Sequence, residues 1–142
     1  MFRKLVVGMD FSENSERAVG AAVAFARATG AQLVLVNVLA GSPEMRDATE
    51  DDISVRASIE QRLREFSAKL AADHGVRVDY GVVEGVAATE LIRYVEVWGG
   101  DLLVVGSAGR TGLGRILVGS VAEGLVQQSP VPVLVIGPRA AL

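Results

Sequence analysis

The stretch Gly106-Ser-Ala-Gly-Arg-Thr-Gly-Leu-Gly-Arg-Ile-Leu-Val-Gly-Ser-Val-Ala-Glu123 decides how the rest of the chain is interpreted. It follows the apolar run Leu-Leu-Val-Val at 102–105, which is typical of a buried strand. It ends on Ser-Val-Ala-Glu at 120–123, which fits the Ser-x-x-Glu capping box of a helix start. The predicted order is therefore strand, glycine-rich loop and helix N-terminus.

Such an order suits a phosphate group, because glycines let the backbone approach an anion and the free amides of a helix start attract negative charge. The alternative is that the glycines bind no phosphate and only shape a long connection between strand and helix. The loop is not a Walker A motif, since no lysine follows Lys69. It also lacks the Gly-x-Gly-x-x-Gly order of the dinucleotide fingerprint.

Without a P-loop lysine, other groups would have to offset the charge of a bound phosphate. Arg110, Arg115, backbone amides or a metal ion are the candidates, although loop arginines are more often solvated. The hydroxyls of Ser107 and Ser120 would add hydrogen bonds.

At this point the chain resembles the universal stress proteins. The ATP-binding members carry Gly, two residues, Gly, nine residues and then Gly-Ser or Gly-Thr. Gly106, Gly109 and the pair Gly119-Ser120 stand at this spacing without a gap. The resemblance continues at Lys-Leu-Val-Val-Gly-Met-Asp, 4–10, and at Ser-Pro-Val-Pro-Val-Leu-Val-Ile, 129–136, and so covers nearly the whole chain.

Composition sets broad limits on the protein. The chain has 142 residues, so we expect one domain over 1–142 with a sizeable core. It has no cysteine, which excludes disulfides, thiol nucleophiles and cysteine metal sites. Its net charge of −3 argues against nucleic acid as the main partner. No apolar run is long enough to span a membrane and no signal-peptide core is visible, so we expect a cytoplasmic protein without a membrane partner.

The hydrophobic pattern alternates between strand and helix along the chain. The strands are expected near 1–10, 31–39, 76–84, 102–105 and 133–136. The helices are expected from Ser12 as N-cap to Thr29, over 53–73, over 86–98, and after Ser120 with Val121, Leu125 and Val126 facing inward. Residues 40–52 are polar and acidic and are interpreted as a mobile connection, with continuation into the next helix as the alternative. Right-handed crossovers then give an α/β fold, an open five-stranded parallel sheet with helices on both faces.

Ligands of open α/β sheets bind beyond the carboxyl ends of the strands, where the strand order reverses. The resemblance implies strand order 3-2-1-4-5, an adenine nucleotide alpha hydrolase-like fold, and ATP with Mg²⁺ in the crevice between the first and fourth strands. It implies that Asp10 and the backbone of Val38 contact the adenine and ribose. An aspartate before a serine-capped helix can instead make only local turn hydrogen bonds.

For the other end of the nucleotide, the resemblance implies that Gly106 and Gly109 let the ribose and phosphates approach. Gly119 and Ser120 would hold the outer phosphates at the helix start, and Arg110 is included as a candidate phosphate contact. No protein metal site is expected, because His74 is the only histidine and reads as a surface residue.

No nucleophile with an adjacent base is visible, so no catalytic residue is assigned. We expect an ATP-binding stress-response or regulatory module with at most slow hydrolysis or self-phosphorylation, acting on an unidentified protein partner. An enzyme that uses ATP on a small substrate, or a family member that binds no nucleotide and acts through protein partners, are the alternatives. The apolar strand at 131–136 lies at a sheet edge, and the resemblance implies a homodimer through it.

Overall fold

The protein is described by a computed structural model over residues 1–40, 50–107 and 119–140. The strands in these residues are β1 (Lys4–Gly8), β2 (Gln32–Ala40), β3 (Arg77–Gly85), β4 (Leu102–Gly106) and β5 (Val133–Ile136). The helices are α1 (Glu13–Thr29), α2 (Glu50–His74), α3 (Ala87–Trp98) and α4 (Ser120–Gln128). None of the helices in these described ranges is both long and apolar enough to cross a membrane.

The strands form one parallel sheet in the order β3-β2-β1-β4-β5, which confirms the predicted fold class and strand order. In this sheet Leu5 of β1 lies opposite Leu33 of β2 on one side and Leu102 of β4 on the other. The chain leaves β1 towards β2 and later returns beside β1 as β4. The strand order therefore reverses at β1, which is where a parallel sheet of this kind forms a crevice.

Helices cover both faces of the sheet, so the central strands are buried on both sides. Leu5 and Val7 of β1 point into the core beneath α1 and α2, whereas Val6 points into the core beneath α3 and α4. All three side chains are 0% exposed. This explains why β1 reads as a continuous apolar run rather than as an alternating one.

Three predicted helix ends are confirmed by their backbone geometry. The Ser12 side chain accepts a hydrogen bond from the Ser15 amide at 3.2 Å and caps α1. Gly30 and Gly99 end α1 and α3 in the left-handed conformation, with φ of 78° and 79°.

The predicted capping box at the start of α4 is wrong. The N-cap is Gly119, with φ −62° and ψ 159°, and Ser120 is already the first helical residue. Because the cap residue is a glycine, no side chain caps the first turn of α4.

The inward face of α4 also differs from the expectation. Ala122 and Leu125 are buried, as predicted for Leu125, but Val121 is 37% exposed and Val126 is 61% exposed. The apolar run of α4 is broad enough to allow several faces, and the packing against α3 and the sheet selects the one centred on Ala122 and Leu125.

The predicted connection over 40–52 is shorter at both ends than expected. Ala40 still belongs to β2, and α2 begins at Glu50 rather than at residue 53. Acidic residues at Glu50, Asp51 and Asp52 favour the positive end of the helix dipole, which the apolar pattern could not reveal. Residues 41–49 lie outside the described residues.

The two sheet edges differ in how they are covered. At the β3 edge, Arg56 of α2 donates to the Val82 carbonyl at 2.9 Å, and Arg64 donates to the Tyr80 hydroxyl at 2.8 Å. At the β5 edge, Leu134 is 40% exposed. Side chains that cover an edge discourage strand pairing, so β5 is the edge better suited to association.

Candidate functional site

A cleft of about 200 Å³ opens at the carboxyl ends of the central strands. Its floor is apolar and includes Val36 and Val38 of β2, Val105 of β4 and Leu91 of α3. The cleft exists because β1 stops at Gly8, whereas β2 continues to Ala40 on one side. The structure therefore places a cleft at the switch point, where the sequence predicts a ligand site.

Asp10 lies in the turn between β1 and α1 and lines this cleft. Its Oδ1 accepts from the Ser12 amide at 2.9 Å, and its own amide donates to the Ser15 hydroxyl at 3.3 Å. Burial opposes ionisation and raises the pKa of Asp10, but hydrogen bonds from Ser12 and Ser15 outweigh it and hold the pKa below its ordinary value. Asp10 is thus a carboxylate at neutral pH that both shapes the turn and borders the cleft.

The residue after Asp10 has an unusual backbone that sequence reasoning missed. Phe11 has φ of 63° and is the one non-glycine residue with positive φ in the described ranges. Its ring packs edge-on against Phe66 of α2, with ring centroids 6.3 Å apart, and the Arg62 guanidinium lies 3.9 Å from the ring centroid. These contacts hold a strained conformation beside the cleft, as is common at binding sites.

Val38, whose backbone the family resemblance implicates, lies at the edge of the cleft. Even-numbered residues of β2 direct their amides towards β1, as Gln32 does in donating to the Arg3 carbonyl at 2.9 Å. The last backbone bond between the strands joins the Met9 amide to the Val36 carbonyl, also at 2.9 Å. Since the chain has turned away by Asp10, the polar backbone of Val38 faces the cleft.

Gly106 lines the cleft and also packs against the start of α1. A Cβ at this position would lie 2.7 Å from the Asn14 carbonyl oxygen and 2.8 Å from the Asn14 carbonyl carbon. A backbone neighbour cannot yield as a flexible side chain can. Close helix packing is therefore sufficient to require glycine here, independently of any ligand.

The start of α4 borders the same cleft through Val121. The Gly119 amide donates to the Ser107 carbonyl, which brings together the two ends of the segment 108–118. The first-turn amides of α4 have no side-chain cap, so they suit an anion. The predicted site residues Gly109 and Arg110, like Arg115, lie outside the described residues.

The electrostatics of the cleft depend on backbone groups as much as on side chains. Asp10 is the one ionisable side chain among the described residues that line it. No group of three or more His, Asp or Glu side chains in the described part of the chain is arranged to hold a metal ion. An anionic ligand would thus be met mainly by helix N-termini, which carry partial positive charge.

The structure brings Asp10, Val38, Gly106 and the Gly119-Ser120 helix start to one end of the sheet. It also reveals Asn37, whose Nδ2 donates to the Met9 carbonyl at 2.9 Å just below the cleft. The sequence signal for Asn37 is a single amide inside the apolar run of β2, which hydrophobic periodicity alone passes over.

An open parallel sheet with a helix start that has no side-chain cap beside its switch point has the architecture in which α/β domains bind ligands beyond the carboxyl ends of their strands. The chain belongs to the universal stress protein family, which matches residues 1–137.

Individual relatives agree with this assignment. Universal stress protein MJ0531 of Methanocaldococcus jannaschii is 31% identical over 141 residues, which span 96% of this chain and 82% of the relative. The solved structure of MJ0577, from the same organism, superposes with a TM-score of 0.79 at 27% identity and covers 99% of both chains. A universal stress protein solved in complex with cAMP is 28% identical, with a TM-score of 0.74, and covers 95% of this chain and 97% of its own.

The packing of Gly106 generates a prediction about stability. Gly106→Ala should lower the free energy of unfolding by about 1–3 kcal/mol, because its Cβ would overlap the Asn14 backbone. Gly137→Ala is the matched control, since a Cβ there meets nothing within 4 Å, and it should change stability by less than about 1 kcal/mol. Urea unfolding followed by circular dichroism measures both, and equal stability of the two variants would refute the packing role.

Proposed function

We propose that this protein binds ATP with Mg²⁺ in the cleft and acts as a nucleotide-dependent regulatory module in the stress response. The observation that carries the proposal is the meeting of three groups at one cleft. These are the Asp10 carboxylate, the backbone of Val38 and the uncapped start of α4. The relative solved with cAMP supports an adenine nucleotide as the ligand class.

The base would lie over the apolar floor, against Val36, Val38 and Leu91. Apolar walls with a few polar groups at defined points are typical of small-molecule sites. The backbone of Val38 would pair with the edge of the adenine, and Asp10 would accept a hydrogen bond from a ribose hydroxyl. The lowered pKa of Asp10 suits this role, because a carboxylate is a pure acceptor.

The phosphates would extend from Gly106 towards the start of α4. The amides after Gly119 and the Ser120 hydroxyl would donate to the outer phosphates, and we include Gly109 and Arg110 in this proposed set. Since Asp10 is the one ionisable side chain among the described cleft residues, Mg²⁺ would be held chiefly by the phosphates themselves.

We propose further that residues 1–142 act as one such domain and that the nucleotide state is communicated to a protein partner. The described cleft residues include no histidine or lysine that could serve as a general base. This favours binding over catalysis, with at most slow hydrolysis or self-phosphorylation. The cytoplasmic location expected from the sequence stays a prediction.

The start of α4 gives the most direct test of the phosphate contacts. Gly119→Val would place branched carbon beside the first-turn amides and should weaken MgATP binding by on the order of 2–4 kcal/mol, as expected for lost charge-assisted hydrogen bonds. Ser120→Ala should weaken binding by only about 1 kcal/mol, because one phosphate contact is lost and the hydroxyl does not cap the helix. Isothermal titration calorimetry measures both.

The control for this test is Val126→Ala on the exposed face of the same helix, which should leave the affinity unchanged. Circular dichroism establishes that each variant is folded. A folded Gly119→Val that binds MgATP as tightly as the parent would show that the loop only turns the chain.

We also propose a homodimer in which β5 pairs with β5 of a second copy, within the stretch 131–136. The exposed Leu134 would be covered in such a two-fold contact. Leu134→Glu should shift the protein to monomer, whereas Val97→Glu, at an 83% exposed position of α3, should not. Light scattering at micromolar concentration distinguishes the two states, and a monomeric parent would contradict the proposal.

Turnover separates the regulatory module from an enzyme. A median enzyme turns over about 10 times per second, and ATP hydrolysis by the pure protein should be far slower. Release of inorganic phosphate with saturating MgATP is the measurement. Fast, saturable hydrolysis that disappears in Asp10→Ala would instead make Asp10 a catalytic group.

A further inference from the structure

Asn37 is an amide side chain buried in an otherwise apolar strand. It is 6% exposed, and on its face of β2 the neighbours Leu35 and Leu39 belong to the core beneath α1 and α2. Its Oδ1 is buried and has no hydrogen-bond partner among the described residues. A buried acceptor without a partner lowers stability, so core packing alone does not account for an asparagine here.

The other end of the same amide replaces a bond of the sheet. In a parallel ladder, a residue that donates to one carbonyl of the neighbouring strand accepts from the amide two residues further on. Because Met9 donates to the Val36 carbonyl, the regular ladder would next join the Val38 amide to the Met9 carbonyl. That carbonyl accepts instead from Asn37 Nδ2 at 2.9 Å, and the described backbone bonds include none between Val38 and Met9.

The Asn37 side chain lies on the face of the sheet opposite to the cleft, yet it has two effects at the cleft. It satisfies the Met9 carbonyl, so the Val38 amide remains unpaired at the cleft edge. It also fixes the peptide between Met9 and Asp10, whose N–H is held by the Ser15 hydroxyl at 3.3 Å. Both polar atoms of the peptide that carries Asp10 are therefore held by side chains.

We propose that Asn37 is a positioning residue for ligand binding. Its side chain ends the hydrogen-bond ladder between β1 and β2 one bond early, and this frees the Val38 amide for the ligand. The inference rests on the proposed function, because the base edge of an adenine nucleotide is the acceptor that this amide would meet. It adds a residue that touches no ligand and lies outside the glycine motif. The Asn37 side chain directs its Nδ2 donor at the Met9 carbonyl, and as a consequence its Oδ1 is left buried without a partner among the described residues.

Amide hydrogen exchange of the unmodified protein tests the first part. By NMR without ligand, the Val38 amide should exchange at least about tenfold faster than those of Val34 and Val36, which the ladder to β1 protects. Adding MgATP should slow the Val38 exchange. If Val38 is as protected as Val36 in the free protein, the amide is not available and the inference is overturned.

Asn37→Leu tests the second part, because leucine is close in size but donates nothing. The Met9 carbonyl should then take the Val38 amide as the regular ladder requires. We expect Val38 exchange to slow to the range of Val36 without ligand, and the MgATP affinity to fall roughly three- to tenfold, as for one lost hydrogen bond. The midpoint of thermal unfolding should not fall, since the unpartnered Oδ1 is removed.

The matched control is Leu39→Met, two residues further along the same face of β2, which should leave the affinity and the Val38 exchange unchanged. A folded Asn37→Leu that keeps the parent affinity, or keeps rapid Val38 exchange, would overturn the inference. Should Asn37→Leu fail to fold, the exchange comparison in the unmodified protein decides. A parent that binds no MgATP would refute the proposed function, whereas the Val38 exchange of the parent and of Asn37→Leu, both without ligand, would still test the role of Asn37.

Discussion

The early end of β1 is the constraint on which the rest of the cleft depends. β1 is central in the sheet and pairs with both β2 and β4, yet it stops at Gly8 while β2 runs on to Ala40. A strand that stops between two neighbours leaves their facing edges without partners. Those edges, together with the helix starts that follow β1 and β4, supply backbone donors to the cleft. The apolar layers on both faces hold this arrangement rigid, since Leu5, Val6 and Val7 are fully buried.

Packing and ligand binding place demands on the same residues at this end of the sheet. Gly106 borders the cleft, but its close approach to the Asn14 backbone requires glycine even without a ligand. Asp10 borders the cleft as well, while one of its oxygens shapes the turn into α1. Phe11 adopts its strained backbone against Phe66 and Arg62 of α2. The cleft is thus formed by groups that the fold already holds in place, which reduces the conformational entropy that the protein loses when a ligand binds.

Much of the fold could be predicted from the sequence, because the strands are apolar runs bounded by glycines and the helices have recognisable ends. Ser12 caps α1 as predicted, and α1 and α3 end at the predicted residues, since capping depends on local chemistry. The strand order came from the family resemblance, because periodicity does not specify which strands are neighbours. Gly119 shows the limit of motif reasoning. The sequence Ser-x-x-Glu fits a capping box, but the chain begins α4 one residue earlier.

The candidate site was predictable where it rests on a motif and not where it rests on partners distant in sequence. The glycine spacing and the strand ends point to Asp10, Gly106 and the start of α4, whereas the backbone of Val38 was implied only by the family resemblance. Asn37 and Phe11 could not be assigned in this way, because their roles depend on contacts with Met9 in one case and with α2 in the other. Such contacts join residues from separate elements, and a single sequence carries little trace of them.

We propose above all that an adenine nucleotide binds at the switch point of the sheet. The most direct measurement is a titration of the ¹⁵N-labelled protein with MgATP, followed by amide chemical shifts. We expect saturable shifts that cluster at Asp10, Val38, Gly106 and the first turn of α4. Shifts centred instead on the shallow surface groove of α1 around Arg17 and Gly20, or no shifts at millimolar MgATP, would contradict it.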